Sequence, residues 1–382
     1  MFRTQSPFRR RATLFCGVAL LFLVALCFWP YQYPSRPELG KKVRYLQGII
    51  RGPQDDSSAL AALSHQNPEW PLFTYSFAVY GFTNMAMRDP SFRAEAAHYT
   101  DLAIEKVLTD TVKAFFSDSR ATGYRVDTAG SVLYLGHLNL MLGCHRLLDP
   151  ASRFRGLHNT LTRVLHGRYR RAPSHCLESY AGMTWVADNT VALASLAVHS
   201  RATGSAYGQY CRQWVAYARQ HLIDPNTGLL VSSMGTTTQS VEEPRGSGMG
   251  WSINFICHFD PAFAAEQYHA SQRHLSTNLG LLRLYRERAG TYATAVGDID
   301  SGPLLLGYSI PATAFAFGNA VALQDWRNAQ RLRRVIAFGS KEIEHNDALH
   351  YDVRFVDLSV SPLAEALLLH AETMTPWRTL RP

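Results

Sequence analysis

The chain has 382 residues, of which 47% are hydrophobic and 18% are charged, and this composition excludes a disordered or low-complexity protein. A chain of this length holds one large domain or two ordinary ones, and either can bury a substantial core. The formal net charge of +8 at pH 7 makes a nucleic-acid partner the first hypothesis to test.

The N-terminal segment carries half of that net charge. Four arginines lie in residues 1–11, and the next charged residue is Arg36. Residues 12–31 are almost wholly apolar and, as a helix, are long enough to cross the ~30 Å hydrocarbon core of a bilayer. Because such arginines stay in the cytoplasm, we predict a basic cytoplasmic tail, a single-pass transmembrane signal-anchor and a periplasmic or extracytoplasmic C-terminal domain. A cleaved signal peptide is the alternative.

The basic residues beyond the anchor form only short clusters, at 168–171 and 331–334. Solvated helix ends explain such clusters at least as well as a track of phosphate contacts does. Nucleic acid is therefore excluded as the principal partner. The sequence leaves a homo-oligomer open.

Helical periodicity dominates the rest of the chain. Residues 32–70 are predicted to be a linker with an N-terminal helix, and residues 71–382 a single helical domain, because apolar positions there recur every three or four residues. Helices are predicted at 72–88, 92–117, 130–148, 153–167, 185–203, 206–222, 250–258, 261–288, 311–323, 325–344 and 361–373. The best strand candidate is 351–360.

The predicted helices form hairpins with a recurring joint. An apolar helix ends, a short turn follows, and an aromatic residue opens a more polar helix, as at 88–92, 148–154 and 259–263. Asp before Pro in these turns is typical of a helix start. Nearly uncharged helices alternate with amphipathic ones, as an inner and an outer ring require. We predict an all-α fold, an (α/α)6 barrel of helical hairpins, with an open solenoid as the alternative.

The long connections all enter the predicted inner helices, and long loops on one rim of a rigid scaffold are typical of functional sites. Polar residues concentrate in four segments on that rim, at 127–141, 175–189, 242–251 and 298–303. Asp188 stands out because a carboxylate inside an apolar helix is costly to bury unless it is paired or functional. Capping is its alternative role. His137 is either functional or a core histidine bonded to a carbonyl.

Other candidates have weaker signals. Cys176 lies beside His175 and Glu178, which could tune its thiol, although a free cysteine is commonly a small apolar residue. Tyr75 lies on the first predicted inner helix, where a core aromatic is the alternative. The predicted substrate-binding residues are Glu178, Tyr180, Trp185, Trp251, Asp298 and Asp300. Asp298 and Asp300 flank a turn signal, so turn formation is their alternative role.

The sequence contains no phosphate loop, dinucleotide fingerprint, H-E-x-x-H motif or nucleophile elbow. The spacing of Cys144, Cys176, Cys211 and Cys257 fits no C-x-x-C metal pattern and leaves their disulfide status open. The candidate side chains therefore suit acid–base proton transfer without a cofactor or a metal. Paired carboxylates in a helical barrel would equally suit glycoside cleavage.

Two motifs resemble the linalool dehydratase/isomerase family. Residues 136–141 (GHLNLM) match its Gly-His-Leu-Asn-Leu-Met, and residues 189–192 (NTVA) resemble its Asn-Ser-Val-Ala. Trp251 and residues 260–263 fall at the family spacing, so the resemblance covers roughly residues 70–325. It implies an (α/α)6 barrel that adds or removes water at an allylic alcohol without a cofactor.

The resemblance also implies roles for individual residues. His137 matches the family's histidine, Cys176 its first cysteine and Tyr75 a substrate-facing tyrosine, whereas Asp188 occupies the place of its second cysteine. The first hypothesis is therefore a membrane-anchored hydro-lyase or isomerase of the dehydratase type, acting on a hydroxylated, terpenoid- or alkenol-like small molecule. His137 and Tyr75 would orient the hydroxyl, while Cys176 and Asp188 exchange protons.

Two further hypotheses come from other classes. The second is a glycan-active (α/α)6 hydrolase or lyase that uses carboxylates among Glu178, Asp188, Asp298 and Asp300. Its motivation is the group of aromatic residues on the same rim. The third is a non-catalytic helical barrel that binds a partner.

Overall fold

The computed structural model describes residues 17–18, 25, 30–116, 130–236, 240–290, 297–356 and 358–377. These residues form fourteen α-helices and seven short strands. The helices are α1 (Arg36–Arg51), α2 (Ala59–Gln66), α3 (Trp70–Arg88), α4 (Arg93–Leu108), α5 (Asp110–Lys113), α6 (Val132–Leu148), α7 (Arg155–Arg171), α8 (Val186–Thr203), α9 (Tyr210–His221), α10 (Gly246–Ile256), α11 (Pro261–His274), α12 (Ile310–Ala322), α13 (Trp326–Gly339) and α14 (Pro362–Thr373).

The strands are β1 (Met183–Trp185), β2 (Ser233–Gly235), β3 (Val241–Glu242), β4 (Ser276–Asn278), β5 (Arg283–Tyr285), β6 (Ser340–His345) and β7 (Ala348–Val353). They form three small antiparallel sheets. In the first, β2 lies between β1 and β3, while β4 pairs with β5 and β6 with β7. Trp185 lies opposite Ser233 in the first sheet, and this pairing fixes the start of α8.

Two concentric rings of helices make up the body of the protein. Helices α3, α6, α8, α10, α12 and α14 each pack against the next, and α14 packs against α3, so the inner ring is closed. Helices α1, α4, α7, α9, α11 and α13 lie outside it. The predicted (α/α)6 barrel is confirmed, and the closed ring rules out the open solenoid.

Sequence chemistry explains how the inner helices begin and pack. Ser131, Ser309 and Ser361 each cap an inner helix, their hydroxyls accepting from an N–H of the first turn at 3.2–3.3 Å. Glycines allow the inner helices to approach closely. A Cβ added at Gly250 of α10 would lie 2.5 Å from the Cβ of Phe315 in α12.

Two predicted helices end earlier than expected and continue into strands. The range 261–288 is helical only as far as His274 and continues as the β4–β5 hairpin, whose turn contains Gly280 with a φ of 78°. The range 325–344 ends at Gly339 and continues into β6. In both cases the apolar spacing of the hairpin strands fits a helix as well as a strand, and only the tertiary contacts decide between them.

The predicted membrane anchor needs correction. No helix within the described ranges is long and apolar enough to cross a membrane, and nearly all of residues 12–31 lies outside those ranges. The prediction of a single-pass anchor with an extracytoplasmic C-terminal domain is not retained. Helix α1, which lies in the predicted linker, packs on α14 and α4 as part of the outer ring.

Candidate functional site

A cavity of about 410 Å³ opens at the end of the barrel where the inner helices begin. Residues in the first turns of these helices line it, among them Trp70 of α3, Leu133 of α6, Asp188 of α8, Gly248 of α10 and Pro311 of α12. Every inner helix thus directs its N-terminal turn toward one space. The partial positive charge of a helix N-terminus favours a carboxylate or another electron-rich group there.

Three carboxylic acids line this cavity: Glu69, Asp188 and Asp300. The side chain of Asp188, in the first turn of α8, is buried. Burial raises its pKa to about 7, with a smaller contribution from the charge of Asp300, while a hydrogen bond from Ser179 opposes the shift. Asp188 is therefore close to half protonated at neutral pH.

Glu69 directly precedes α3 and faces the same space. Its N–H donates to the side-chain oxygen of Asn67 at 3.0 Å, which sets the turn that leads into the helix. Burial raises the pKa of Glu69 to about 8, and the charges of Asp188 and Asp300 add to the effect. Glu69 thus holds its proton at neutral pH.

Asp300 comes from the loop that follows residue 297, and 46% of its side chain is exposed. Burial of the remainder raises its pKa, while the positive charge of Arg245 opposes the rise. Of the three acids it is the most exposed to water. In the described part of the chain, no set of three His, Cys, Asp or Glu side chains could hold a metal ion.

Arg245 connects this loop to the barrel. The residue is buried, its Nε donates to Glu287 at 2.8 Å, and its guanidinium lies 2.6 Å from a carboxylate oxygen of Asp298. Asp298 in turn accepts the N–H groups of Ser301 at 2.9 Å and Asp300 at 3.2 Å. The turn role expected as an alternative for Asp298 is thus the observed one, and it positions Asp300.

Aromatic side chains form much of the cavity wall. Trp70, Trp185, Trp251 and Tyr180 line it and are only partly buried. The ring of Trp251 is held edge-on by Phe73, with 5.0 Å between the ring centroids. Flat aromatic faces beside carboxylic acids can hold a ligand that has both apolar C–H faces and hydroxyl groups.

His137 lies beneath the cavity and does not line it. Its ring is fully buried, its Nδ1 lies 3.0 Å from the Tyr80 hydroxyl, and its centroid is 5.5 Å from that of Trp251. Burial lowers its pKa to about 3, so the ring is neutral. These contacts place His137 in the core, where its ring packs beneath Trp251.

Cys176, Tyr75 and Glu178 also lie apart from the cavity. Burial raises the pKa of the Cys176 thiol to about 12, so the thiol stays protonated. Tyr75 is buried too, and burial raises its pKa to about 12. Glu178 is exposed and accepts a hydrogen bond from Thr236 at 2.6 Å. The structure does not bring these residues together with Asp188.

Five residues chosen from the sequence do line the cavity: Tyr180, Trp185, Asp188, Trp251 and Asp300. Sequence reasoning missed Glu69. The sequence signal for Glu69 is an acid directly before a tryptophan and an uncharged helix. The loop that contains it lies ahead of the first inner helix, outside the four polar segments from which the candidates are predicted. Residues 127–129 of the first polar segment lie outside the described residues.

No family model matches the chain, but several solved structures share its fold. A "possible member of GH105 family" from Salmonella enterica serovar Paratyphi A is 13% identical, with a TM-score of 0.56 over 90% of this chain and 95% of that one. An unsaturated glucuronyl hydrolase specific for heparin is 12% identical, with a TM-score of 0.52 over 78% and 84%.

The GH76A α-1,6-mannanase from Salegentibacter sp. HEL1_6 is 10% identical, with a TM-score of 0.53 over 88% of this chain and 98% of the mannanase. These similarities show a shared barrel fold over nearly the whole chain. They overturn the predicted membership in the linalool dehydratase/isomerase family, because the reported neighbours are glycoside hydrolases. The motif at 136–141 that suggested that family forms the buried wall of α6 instead.

Proposed function

We propose that this protein is a glycan-active enzyme that hydrolyses a glycosidic bond in the cavity at the N-terminal ends of the inner helices. The observation that carries the proposal is the presence of three carboxylic acids and three tryptophans in one cavity. Glycoside hydrolysis needs two carboxyl groups, one protonated and one ionised. The enzymes with the same fold support this reading over the dehydratase hypothesis.

Asp188 is the proposed general acid. Its pKa of about 7 keeps a substantial protonated fraction near neutral pH, as a residue that protonates a leaving oxygen requires. The proton passes from Asp188 to the glycosidic oxygen as the bond between that oxygen and the anomeric carbon breaks. The leaving sugar departs as an alcohol, and Asp188 is left as a carboxylate.

Asp300 is the proposed general base. Its exposure gives a water molecule access to the carboxylate, and the charge of Arg245 opposes the rise in its pKa that burial causes. Asp300 accepts one proton of the water while the oxygen of that water bonds to the anomeric carbon. One water molecule is consumed, and the proton returns from Asp300 to Asp188 through solvent.

The remaining cavity residues bind the sugar. Glu69, protonated at neutral pH, donates a hydrogen bond to a sugar oxygen. Trp70, Trp185 and Trp251 supply flat faces for the C–H surfaces of sugar rings. The cavity of about 410 Å³ lies within the usual size range of small-ligand sites.

The proposal is tested by measuring reducing ends released from a panel of polysaccharides and oligosaccharides by the wild-type protein and Asp188→Asn. Loss of the general acid should lower kcat by about 10²–10⁴-fold. Asp56→Asn, a matched change at an exposed position between α1 and α2, should retain full activity. Equal activity in wild type and Asp188→Asn would contradict the proposal, as would a product that carries a carbon–carbon double bond.

A further inference from the structure

We infer that the cavity takes an uncharged sugar ring and discriminates against uronates. This inference rests on the proposed glycan hydrolysis and names its substrate class. Among the described residues that line the cavity, three can carry a negative charge, and Arg245 is the one residue with a positive charge. The inference depends on whether Arg245 is free to receive a substrate carboxylate.

Four protein carboxylates surround the guanidinium of Arg245, and two of its nitrogens donate hydrogen bonds to them. Its Nε donates to Glu287 at 2.8 Å and its Nη2 to Asp298 at 2.7 Å. Its remaining nitrogen, Nη1, lies 3.9 Å from Glu242 and 4.0 Å from Asp300. At these distances Nη1 makes no hydrogen bond to either carboxylate, but a substrate carboxylate that reached it would lie beside all four protein carboxylates.

The partners of Arg245 cannot be displaced cheaply. Glu287 is buried and also accepts the hydroxyl of Ser247 at 2.7 Å, while Asp298 holds the backbone of the 298–301 turn. Breaking a buried charge pair leaves an uncompensated charge behind. The positive charge of Arg245 is therefore offset by the protein's own acids, which outnumber it in this cluster.

The other polar groups of the cavity suit hydroxyl groups. Asn67, Ser247 and Ser361 line it beside the tryptophans, and amides and hydroxyls pair with sugar hydroxyls without a charge on either side. A uronate would place its carboxylate near the Asp300 carboxylate, where like charges repel because burial reduces solvent screening, and its charge would also oppose ionisation of Glu69 and Asp188. A glucuronyl substrate carries a carboxylate and would require a compensating positive charge, whereas acids outnumber the one arginine among the described residues that line this cavity.

The test uses pairs of oligosaccharides that are matched in linkage and length and differ only in oxidation of C6 from a hydroxymethyl group to a carboxylate. The panel also includes natural polyuronates. For the sugar that is cleaved, kcat/KM should be at least about tenfold higher for the uncharged member of the pair. Equal or faster cleavage of the uronate would overturn the inference while leaving glycan hydrolysis intact. Cleavage of no member would overturn the proposed function itself.

A binding measurement separates charge from shape. In the Asp188→Asn background, isothermal titration calorimetry gives a Kd for each member of the pair. Adding Asp300→Asn removes one negative charge and should improve uronate affinity relative to the neutral sugar by several-fold. Adding Asp56→Asn instead removes a charge outside the cavity and should leave the ratio unchanged. An unchanged ratio in the Asp300→Asn protein would contradict the electrostatic basis of the inference.

Discussion

Asp188 illustrates how one residue can acquire acid–base function from its surroundings. Burial favours the neutral carboxyl, whereas the Ser179 hydroxyl and the N-terminus of α8 favour the carboxylate. The balance keeps the pKa of Asp188 near 7, well above the ordinary value of 3.8 for an aspartate. A general acid with this pKa loses its proton as the pH rises through 7, so activity should fall on the alkaline side.

Ser179→Ala tests this balance. Removing the hydroxyl removes the interaction that lowers the pKa of Asp188, so that pKa should rise. The alkaline limb of the kcat/KM profile should therefore move to higher pH. Ser252→Ala is the control, because Ser252 is also buried but donates to the Gly248 carbonyl. A limb that stays in place in Ser179→Ala, or that moves equally in both variants, would contradict the assignment of Asp188.

Asp298→Asn tests the positioning of Asp300. The amide keeps the size of the side chain but weakens the charge-assisted bond to Arg245, so the loop should hold Asp300 less firmly. We expect kcat to fall about tenfold, with a smaller change in KM. Asp300→Asn and the variant that carries both substitutions complete a double-mutant cycle between Asp298 and Asp300. Strictly additive losses would show that Asp298 does not act through Asp300.

The sequence identified some site residues and not others, for physical reasons. Asp188 was predictable because a carboxylate in an apolar helix needs an explanation. Glu69 was missed because it lies just ahead of its helix, where acids are ordinary. His137 and Cys176 carry reactive groups, but the sequence does not show which side of an inner helix faces the cavity. The structure places both in the core.

At the scale of secondary-structure elements, close helix packing depends on glycine. Gly250→Ala would place a methyl group 2.5 Å from the Phe315 Cβ and force α10 and α12 apart. We expect a loss of about 1–3 kcal/mol in the free energy of unfolding, measured by urea denaturation.

The matched control is Gly48→Ala. Gly48 is exposed in the last turn of α1, and a Cβ there would meet nothing within 4 Å. Alanine has the higher helix propensity, so this change should stabilise the protein by about 0.5–1 kcal/mol. Equal effects at the two positions would refute close packing between α10 and α12.

The predicted helices and strands match the structure where the apolar periodicity extends over a long segment, and they differ from it where the segment is short. Helix α8 matches its predicted range of 185–203 within one residue, because a long apolar run ends at Gly204 in a left-handed conformation. The β4–β5 hairpin and strand β6 lie in ranges predicted as helix, whereas the predicted strand at 351–360 overlaps the end of β7. These strands have three to six residues, too few for a period of two to be distinguished from helical spacing.

At the scale of the whole molecule, buried titratable groups should set the pH of maximum stability. Five buried histidines have lowered pKa values, chiefly because of burial: His137, His158, His199, His258 and His370. The unfolded chain protonates them near 6.5, whereas the folded chain keeps them neutral. Their contribution to stability is therefore complete above pH 6.5 and decreases as the pH falls below it.

Three acids with raised pKa values act in the opposite direction. The pKa values of Glu69 and Glu365 are raised to about 8 and that of Asp188 to about 7. They ionise in the unfolded chain near their ordinary values, so they reduce stability progressively as the pH rises from about 4 to about 8. Thermal denaturation should give a maximum Tm near pH 6 to 7. A Tm that rises steadily from pH 6 to 9 would contradict this account.

The central claim is that the acids at the N-terminal ends of the inner helices cleave a bound glycan. The most direct test is a crystal structure of Asp188→Asn with the oligosaccharide that the wild-type protein cleaves. We predict a sugar ring against Trp185 or Trp251, with the glycosidic oxygen within hydrogen-bonding distance of the residue 188 side chain. An oligosaccharide bound elsewhere on the barrel, with no contact to Glu69, Asp188 or Asp300, would contradict the claim.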